Sequence, residues 1–421
     1  MKRVFRSVVA KILESQVRRL QKKRDFKVVA VVGSIGKTST KLAIGRSLSK
    51  VAKVRYQDGN YNDRVTVPLV FFGRQNPRRV WHFWSWLAIF IRNELALRKP
   101  YIFEWVILEL GTDGPGQIRE FAYLDVDLAV VTAVTPEHME QFGDLDAVAK
   151  EELSVANFSR HLLINRDLCD EKYIRQIGKS LNTYGTSKEA TIRIASDYPF
   201  DLKSGENVLY SINQRPLLPK QYGLAAVMSV LRFARQDDSR VIHSLLTQEL
   251  EVQTPGRMQV LPGINQSEII DDTYNAQPDA VKMALEVLQR KTGPQKIAIL
   301  GNMNELGQKS AELHKEIGQS CKPKNIDLLV TIGADANEYL AQEAKKNGCD
   351  VKAFTNPYQA GVFLKDRVKH KAVILAKGSQ NGVFAEEAIK PLLKNPHDEK
   401  KLVRQSKDWL IKKRNSFEVM R

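Results

Sequence analysis

Val31-Val32-Gly33-Ser34-Ile35-Gly36-Lys37-Thr38-Ser39 follows an apolar run, Lys27 to Val32, and leads into a stretch that reads as a helix from about Lys37. A strand, a glycine turn and a helix N-terminus in that order make an anion cradle: backbone N–H groups point into the turn and the helix dipole stands behind them. Gly33 and Gly36 let the backbone approach a phosphate closely. Lys37 is placed to reach β- and γ-phosphates, and the Thr38 hydroxyl to bind Mg²⁺; Ser34 and Ser39 complete the nucleotide-binding turn. The general P-loop pattern asks for a further glycine where Val31 stands, so only the shorter core G-x-x-G-K-T-S is present.

Outward from this turn, Trp105 to Leu110, Leu128 to Val134 and Leu162 to Asn165 read as buried parallel strands. Helical stretches between them predict a doubly wound α/β domain whose last helix runs from Gly223 to Arg235. A second α/β pattern begins near Pro255. Its strands are expected at Glu268 to Asp271, Lys296 to Leu300, Leu328 to Ile332 and Ala372 to Leu375, with helices at Pro278 to Lys291, Ser310 to Cys321 and Gly382 to Leu393. The expected fold is therefore α/β: a central P-loop ATPase domain with a doubly wound parallel sheet over residues 26–250, then a smaller Rossmann-like domain over 251–421.

The ends carry charge. Residues 1–25 read as a basic amphipathic helix with Phe5, Val8, Val9, Ile12, Leu13, Val17 and Leu20 at helical spacing. Its apolar stripe suits either an anionic membrane or a docking site on the rest of the chain. The tail from Lys400 reads as a second basic helix, with Leu402, Trp409, Leu410 and Ile411 as its apolar points. An insertion at about residues 78–101 holds Trp81, Phe83, Trp84, Trp86, Phe90 and Ile91, edged by Arg92, Arg98 and Lys99. It fits a bilayer interface or a helical hairpin packed on the main sheet.

The 421 residues have an apolar fraction of 43% and a charged fraction of 27%, the profile of a globular chain of more than one domain. A net charge of +17 is compatible with nucleic acid, an anionic membrane, anionic substrates or simply a solvated basic surface. The cysteines Cys169, Cys321 and Cys349 have no metal-ligand spacing and suit a reducing compartment. With no secretory signal and no apolar run long enough to span a bilayer, the expected location is cytoplasmic, with peripheral contact at the inner membrane face through the basic helices left open.

A series of further segments resembles one family in order. Gly33 to Ser39 is similar to the short P-loop of the Mur ligases. Gly59-Asn60-Tyr61-Asn62 with Val67-Pro68-Leu69, Glu109-Leu110-Gly111 with Pro115-Gly116-Gln117-Ile118, and Pro136 to Gly143 (PEHMEQFG) resemble segments of the branch that adds D-alanyl-D-alanine. In the second domain, Ile269 to Pro278 (IIDDTYNAQP), Gly301 to Gly307 (GNMNELG) with His314, and Lys377-Gly378-Ser379 do the same. The resemblance covers residues 28 to 395.

The resemblance implies roles. Lys37 and Thr38 would hold phosphates and a metal, with Glu109 and His138 as metal ligands; carboxylate and imidazole after strands suit Mg²⁺ that bridges ATP and an acceptor carboxylate. Tyr274 and Asn275 would hold the adenine, and Asp272 and Arg257 the ribose and phosphates. Lys377, Gly378 and Ser379 would lie near the incoming amine, and Asn60 near the acceptor. Lys37, Glu109 and His138 are the implied catalytic residues.

There are departures. The family usually opens with a domain that grips the UDP end of a muramyl substrate, whereas residues 1–25 alone precede the P-loop strand; the expectation is a chain without that grip or with another one. Where the family often carries a carbamylated lysine, aligning Val148 to Glu152 places Glu152, a carboxylate able to serve as a metal ligand without modification, with Lys150 as the rival. Asn302, Gln277 and Gln380 replace an aspartate, an asparagine and an arginine.

The implied activity is an ATP- and Mg²⁺-dependent ligase that activates a carboxylate as an acyl phosphate and joins it to an amine. The leading substrates are a muramyl tripeptide and D-alanyl-D-alanine. Another acceptor (a lipid-linked muramyl peptide, folate or a polyamide) is the alternative. A P-loop ATPase that binds membrane or nucleic acid without ligation leaves the DDTYNAQP and NELG segments unexplained, so no nucleic-acid partner is expected.

Overall fold

The computed structural model describes residues 2–59, 61–77, 82–178 and 181–418. The chain divides into two compact units, one of residues 1–135 and 141–251, the other of residues 136–140 and 252–421.

In the first unit, helix α1 (Lys2–Lys23) leads to strand β1 (Lys27–Val32) and helix α2 (Lys37–Leu48). Strand β2 (Val54–Arg55) and helices α3 (Val67–Phe72) and α4 (Phe83–Leu97) follow. Strands β3 (Trp105–Glu109), β4 (Val126–Val131), β5 (Ser159–Asn165) and β6 (Leu181–Gly185) continue the sheet. Strands β7 (Ile192–Asp197), β8 (Phe200–Ser204) and β9 (Asn207–Ile212) close it. The order is β2-β3-β1-β4-β5-β6-β7-β8-β9, parallel as far as β7 and antiparallel beyond.

Both faces of the central part of this sheet are covered, which is why strands such as β1 and β3 are apolar nearly throughout rather than at alternate positions. Val29, Val31, Ile107 and Val130 pack with Ala43, Ile44 and Leu48 of α2. Val28, Ala30, Val32 and Leu108 pack on the other side with Val67, Val70 and Phe71. Strand β1 lies between β3 and β4, so the chain leaves it to one side and later returns to the other. That reversal of strand order opens a crevice at the carboxyl ends, where ligands of such sheets bind.

In the second unit, strands β10 (Gln259–Pro262), β11 (Glu268–Asp272), β12 (Lys296–Gly301), β13 (Leu328–Ile332), β14 (Val351–Phe354) and β15 (Val373–Lys377) form a sheet of order β10-β11-β15-β12-β13-β14. All pairs are parallel except β10 with β11.

The expected strands all form. The helices differ in places. The first unit ends not with the helix at Gly223 to Arg235, which runs Leu218–Phe233, but with a further one, Ser239–Glu251. The expected helix from Gly382 to Leu393 shrinks to Glu386–Ile389 and a tight turn at Lys390–Leu392. Asn381, Gly382 and Phe384 all have positive φ, which no right-handed helix accommodates. The tail helix begins at Lys407, after a tight turn at Pro396–Lys401. Leu402 is therefore buried ahead of that helix rather than on it, and Lys413 is buried against Glu386 at 2.8 Å and Glu387 at 2.6 Å. The aromatic segment forms α4, which packs Trp86 and Ile89 on α1 and, at its C-terminal end, Leu97 into the core of the main sheet; Trp81 lies outside the described residues. Among the described residues no helix is long and apolar enough to cross a membrane.

Candidate active site

The carboxyl ends of β1, β3 and β4 gather the first group of side chains. Gly33 and Gly36 take φ of 119° and 83°, a region that favours glycine. A Cβ on Gly33 would also lie 2.5 Å from Thr132 Oγ1 and 2.7 Å from the Ala133 backbone, so the turn closes tightly on the loop after β4. Around Gly36 a Cβ would meet nothing nearer than Thr40 Oγ1 at 4.0 Å, leaving the α2 N-terminus open. Ser34 faces inward: its hydroxyl accepts from the Thr135 N–H at 2.8 Å and lies 2.9 Å from Thr135 Oγ1.

Two carboxylates bracket this turn. Glu109, at the end of β3, accepts from the Thr38 hydroxyl at 3.1 Å and from Asn62 Nδ2 at 3.4 Å. Its other oxygen lies 3.4 Å from Lys41 Nζ, with both side chains only 2% exposed. Lys41 also donates to the Gly59 carbonyl at 3.1 Å. Glu152, fully buried, accepts from the Gly33 N–H at 2.8 Å and stands 4.0 Å from Lys37 Nζ. Its neighbour Glu151 accepts from the N–H groups of Gly116 and Ile118, both at 2.6 Å, pinning the Pro115 to Ile118 loop. Lys150, the rival in register, is exposed. Asn60 lies outside the described residues.

The second unit gathers its own group at the ends of β11, β12 and β15. Asp272 accepts from the Met258 N–H at 3.1 Å and pairs with Lys377, which also donates to the Asn275 carbonyl at 3.0 Å. The Ser379 hydroxyl donates to Ala276 O at 3.1 Å and accepts from the Asn304 N–H at 2.9 Å. Gly378 has no room for a side chain: its Cβ would meet Ala385 and Val383 at 2.9 Å. The Arg257 guanidinium lies 3.9 Å over the ring of Tyr274, half-buried and open to a ligand plane. Asp271 is wholly buried, and this desolvation pushes its carboxyl up to about 6 despite bonds from Thr273. His314, also buried, accepts from the Met303 N–H at Nε2 (3.0 Å) with Nδ1 facing Ser310 O (2.8 Å). Burial lowers its pKa, and those contacts give it a structural task in the turn after β12.

His138 belongs to this second unit. It takes a left-handed conformation, φ 47°, and its Nδ1 lies 2.9 Å from Glu305 Oε2. The bond to His138 holds the Glu305 carboxyl below its ordinary range.

Thus Gly33, Ser34, Gly36, Lys37, Thr38, Glu109 and Glu152 come together in one unit, and Arg257, Tyr274, Asp272, Asn275, Lys377 and Ser379 in the other. Lys41, Asn62 and Glu305 escaped the sequence reading. Lys41 sits one helical turn beyond Lys37 on the same face, and Asn62 stands inside a motif already marked, so both carried a signal.

The geometry meets its relatives here. Residues 93–217 match the Mur ligase middle domain, and residues 256–380 the Mur ligase, glutamate ligase domain. The chain belongs to the Mur ligase family. As a Mur ligase it is an ATP-dependent enzyme that forms carbon–nitrogen bonds. It is 25% identical over 386 residues to the UDP-N-acetylmuramoyl-tripeptide–D-alanyl-D-alanine ligase of Bacillus subtilis, covering 88% of this chain and 76% of that one. The enzyme of the same name from Escherichia coli is 24% identical over 387 residues, covering 88% and 77%. In structure, this Mur ligase is similar to the MurF ligase from Thermotoga maritima in complex with ADP, with TM-score 0.73 and 21% identity over 94% of this chain and 84% of that one. It is also similar to E. coli FolC in complex with DHPP and ADP, with TM-score 0.60 and 18% identity over 88% and 89%.

Proposed function

We propose that this Mur ligase adds D-alanyl-D-alanine to a muramyl tripeptide, using ATP to activate the tripeptide carboxylate as an acyl phosphate. The observation that carries the reading is the Thr38–Glu109–Lys41 cluster beside the glycine turn: a hydroxyl and a buried carboxylate at the mouth of a phosphate cradle.

The residues fit Mg²⁺. Thr38 Oγ1 and Glu109 are hard oxygen donors of the kind that ion selects. Among the described residues, Glu109 Oε2 is buried without a hydrogen bond and lies 3.4 Å from Lys41 Nζ. Among the described residues no three His, Cys, Asp or Glu side chains converge on one point. The metal would therefore be shared with the phosphates, as Mg²⁺ commonly is. When bound, it supplies Lewis-acid neutralisation of the transferring phosphoryl group.

The chain's own groups do the rest. The α2 N-terminus and the Gly33–Gly36 turn cradle the phosphates. Lys37 spreads charge from the γ-phosphoryl group as the tripeptide carboxylate oxygen attacks it and ADP leaves. The amine of D-alanyl-D-alanine then attacks the acyl carbon, loses a proton, and phosphate departs. Glu152 holds the Gly33 N–H and faces Lys37, a positioning role for both. In the second unit, Arg257 and Tyr274 offer a stacking surface for a base, Asp272 an acceptor for ribose hydroxyls, and Lys377 and Ser379 polar contacts for the amine substrate. His138, fixed by Glu305, is proposed as a further metal ligand. We infer a cytoplasmic setting, with peripheral contact at the inner membrane face.

The test is trapping. With ATP, Mg²⁺, UDP-linked muramyl tripeptide and hydroxylamine but no dipeptide, a tripeptide hydroxamate forms if the acyl phosphate is made. ADP production without hydroxamate would count against the mechanism.

A further inference from the structure

Helix α4 is apolar on two opposite faces. Trp86, Ile89 and Leu97 are buried. On the opposite side Trp84, Ala88, Ile91 and Leu95 recur at steps of four, three and four, one straight stripe along the helix. Trp84, Ile91 and Leu95 in that stripe are 68%, 53% and 51% exposed. A surface helix normally turns a polar face outward, so this stripe asks for a cover.

Helix α1 runs beside it in the same direction: Gln16 Nε2 donates to the Phe90 carbonyl at 3.0 Å and Arg24 to that of Lys99 at 2.8 Å. Val9 and Leu13 share one buried cluster with Trp86 and Ile89. The outward faces of both helices therefore lie side by side. On α1 that face begins with Val4 and Val8 and continues with Lys11, Arg18 and Lys22, all exposed. The result is an apolar, aromatic strip flanked by cations.

A cavity of about 750 Å³ opens along the same strip, since Ala88 lines it too. Its polar walls are Arg74, Gln75, Asn76, His82, Ser85 and Arg92, and among the described residues no carboxylate lines it. The Arg74 guanidinium donates to Asn93 Oδ1 at 3.1 Å and to the Arg92 carbonyl at 3.0 Å, both neutral acceptors, and its pKa is lowered by burial and by the nearby Arg92 and Arg55. Such a cavity is complementary to a phosphate.

We propose that the α1–α4 face lies on the surface of an anionic phospholipid bilayer, with Trp84, Ile91 and Leu95 at the level of the acyl-chain boundary and the Arg74–Arg92 cavity seating a headgroup phosphate. This gives residues to the peripheral contact inferred above and rests on that reading alone, not on the ligase chemistry. The 15-residue α4 is about 22 Å long, too short to span the roughly 30 Å hydrocarbon core, and so lies in the interface plane. Charge complementarity selects an anionic leaflet over a neutral one or a protein groove.

The experiment is co-sedimentation of the full chain with phosphatidylcholine vesicles, with and without phosphatidylglycerol. Three proteins are compared: wild type, the triple variant Trp84→Ser/Ile91→Ser/Leu95→Ser, and Arg74→Gln/Arg92→Gln. Circular dichroism and melting confirm that each is folded. Wild type is expected to bind only the anionic vesicles, the triple variant about tenfold more weakly, and the arginine variant about fivefold more weakly. Wild-type binding left unchanged in the triple variant would overturn this face while keeping membrane contact. No binding of wild type to anionic vesicles would overturn the peripheral reading itself. Self-association of wild type, lost in the triple variant and without vesicle binding, would assign the face to a second copy instead.

Discussion

Lys41→Met tests the arrangement around Glu109 most sharply. Lys41 and Glu109 are buried and lie 3.4 Å apart, so neither has water to replace its partner. At an effective dielectric near 20, their attraction is about 5 kcal/mol. Removing one partner from a buried pair costs about 3–5 kcal/mol, most of it the penalty of leaving the other charge uncompensated. Methionine keeps the length of the side chain, so little of the loss comes from packing. The expected outcome is a melting temperature of the P-loop unit lowered by about 6–20 °C in calorimetry. The double variant Lys41→Met/Glu109→Gln removes the stranded charge and is expected to recover at least about half of the loss, a coupling visible in a double-mutant cycle. A double variant no more stable than Lys41→Met alone would refute the reasoning, since the cost would then lie in packing or in the Gly59 contact.

Glu152→Gln keeps the bond from Gly33 but removes the charge facing Lys37; turnover is expected to fall by about a hundredfold, with more Mg²⁺ needed for half-maximal rate. Full activity with unchanged Mg²⁺ dependence would remove Glu152 from the site. Arg257→Ala, which strips the cation from Tyr274, is expected to raise KM for ATP by about tenfold with kcat little changed, measured by steady-state kinetics. Asp271 supplies a pH signature. Its carboxyl titrates near 6 in the fold against an ordinary 3.8, so between these values the folded chain holds a proton that the unfolded chain has lost. Its protonation favours folding fully below 3.8, and that contribution is lost as pH rises through about 6, a drop of about 3 kcal/mol. Denaturant titrations of wild type and Asp271→Asn at pH 4 and pH 8 should diverge by that amount; parallel profiles would contradict it.

Sequence alone placed the strands that carry the site because most hold an unbroken apolar run, such as Val28 to Val32 or Ile297 to Leu300, of the kind a two-sided parallel sheet buries. The hairpin strands β7 to β9 were not legible: Arg193, Asp201 and Lys203 break their runs, and their pairing is set by partners across the turn. The helix forecast from Gly382 failed because consecutive left-handed residues leave no trace in apolar spacing. In the site, Glu109 and Lys37 stood out by motif. Of the partners that fix them, Glu152 was named and Lys41 was marked only by its place one turn beyond Lys37; that Lys41 is buried against Glu109 is not written in its spacing, because it looks in sequence like any other charge on a helix. Trp84 and Ile91 show the reverse: the sequence marked them as part of one aromatic, apolar segment, and only the fold shows that they turn outward with Leu95 while Trp86 and Ile89 are buried.

The central claim is tested most directly by phosphate release from purified protein with ATP and Mg²⁺, adding UDP-linked muramyl tripeptide and D-alanyl-D-alanine singly and together, with product mass checked. Release above background only with both substrates, and a new amide of the combined mass, is the predicted result. ATP binding without release or amide, with both substrates present, would contradict it.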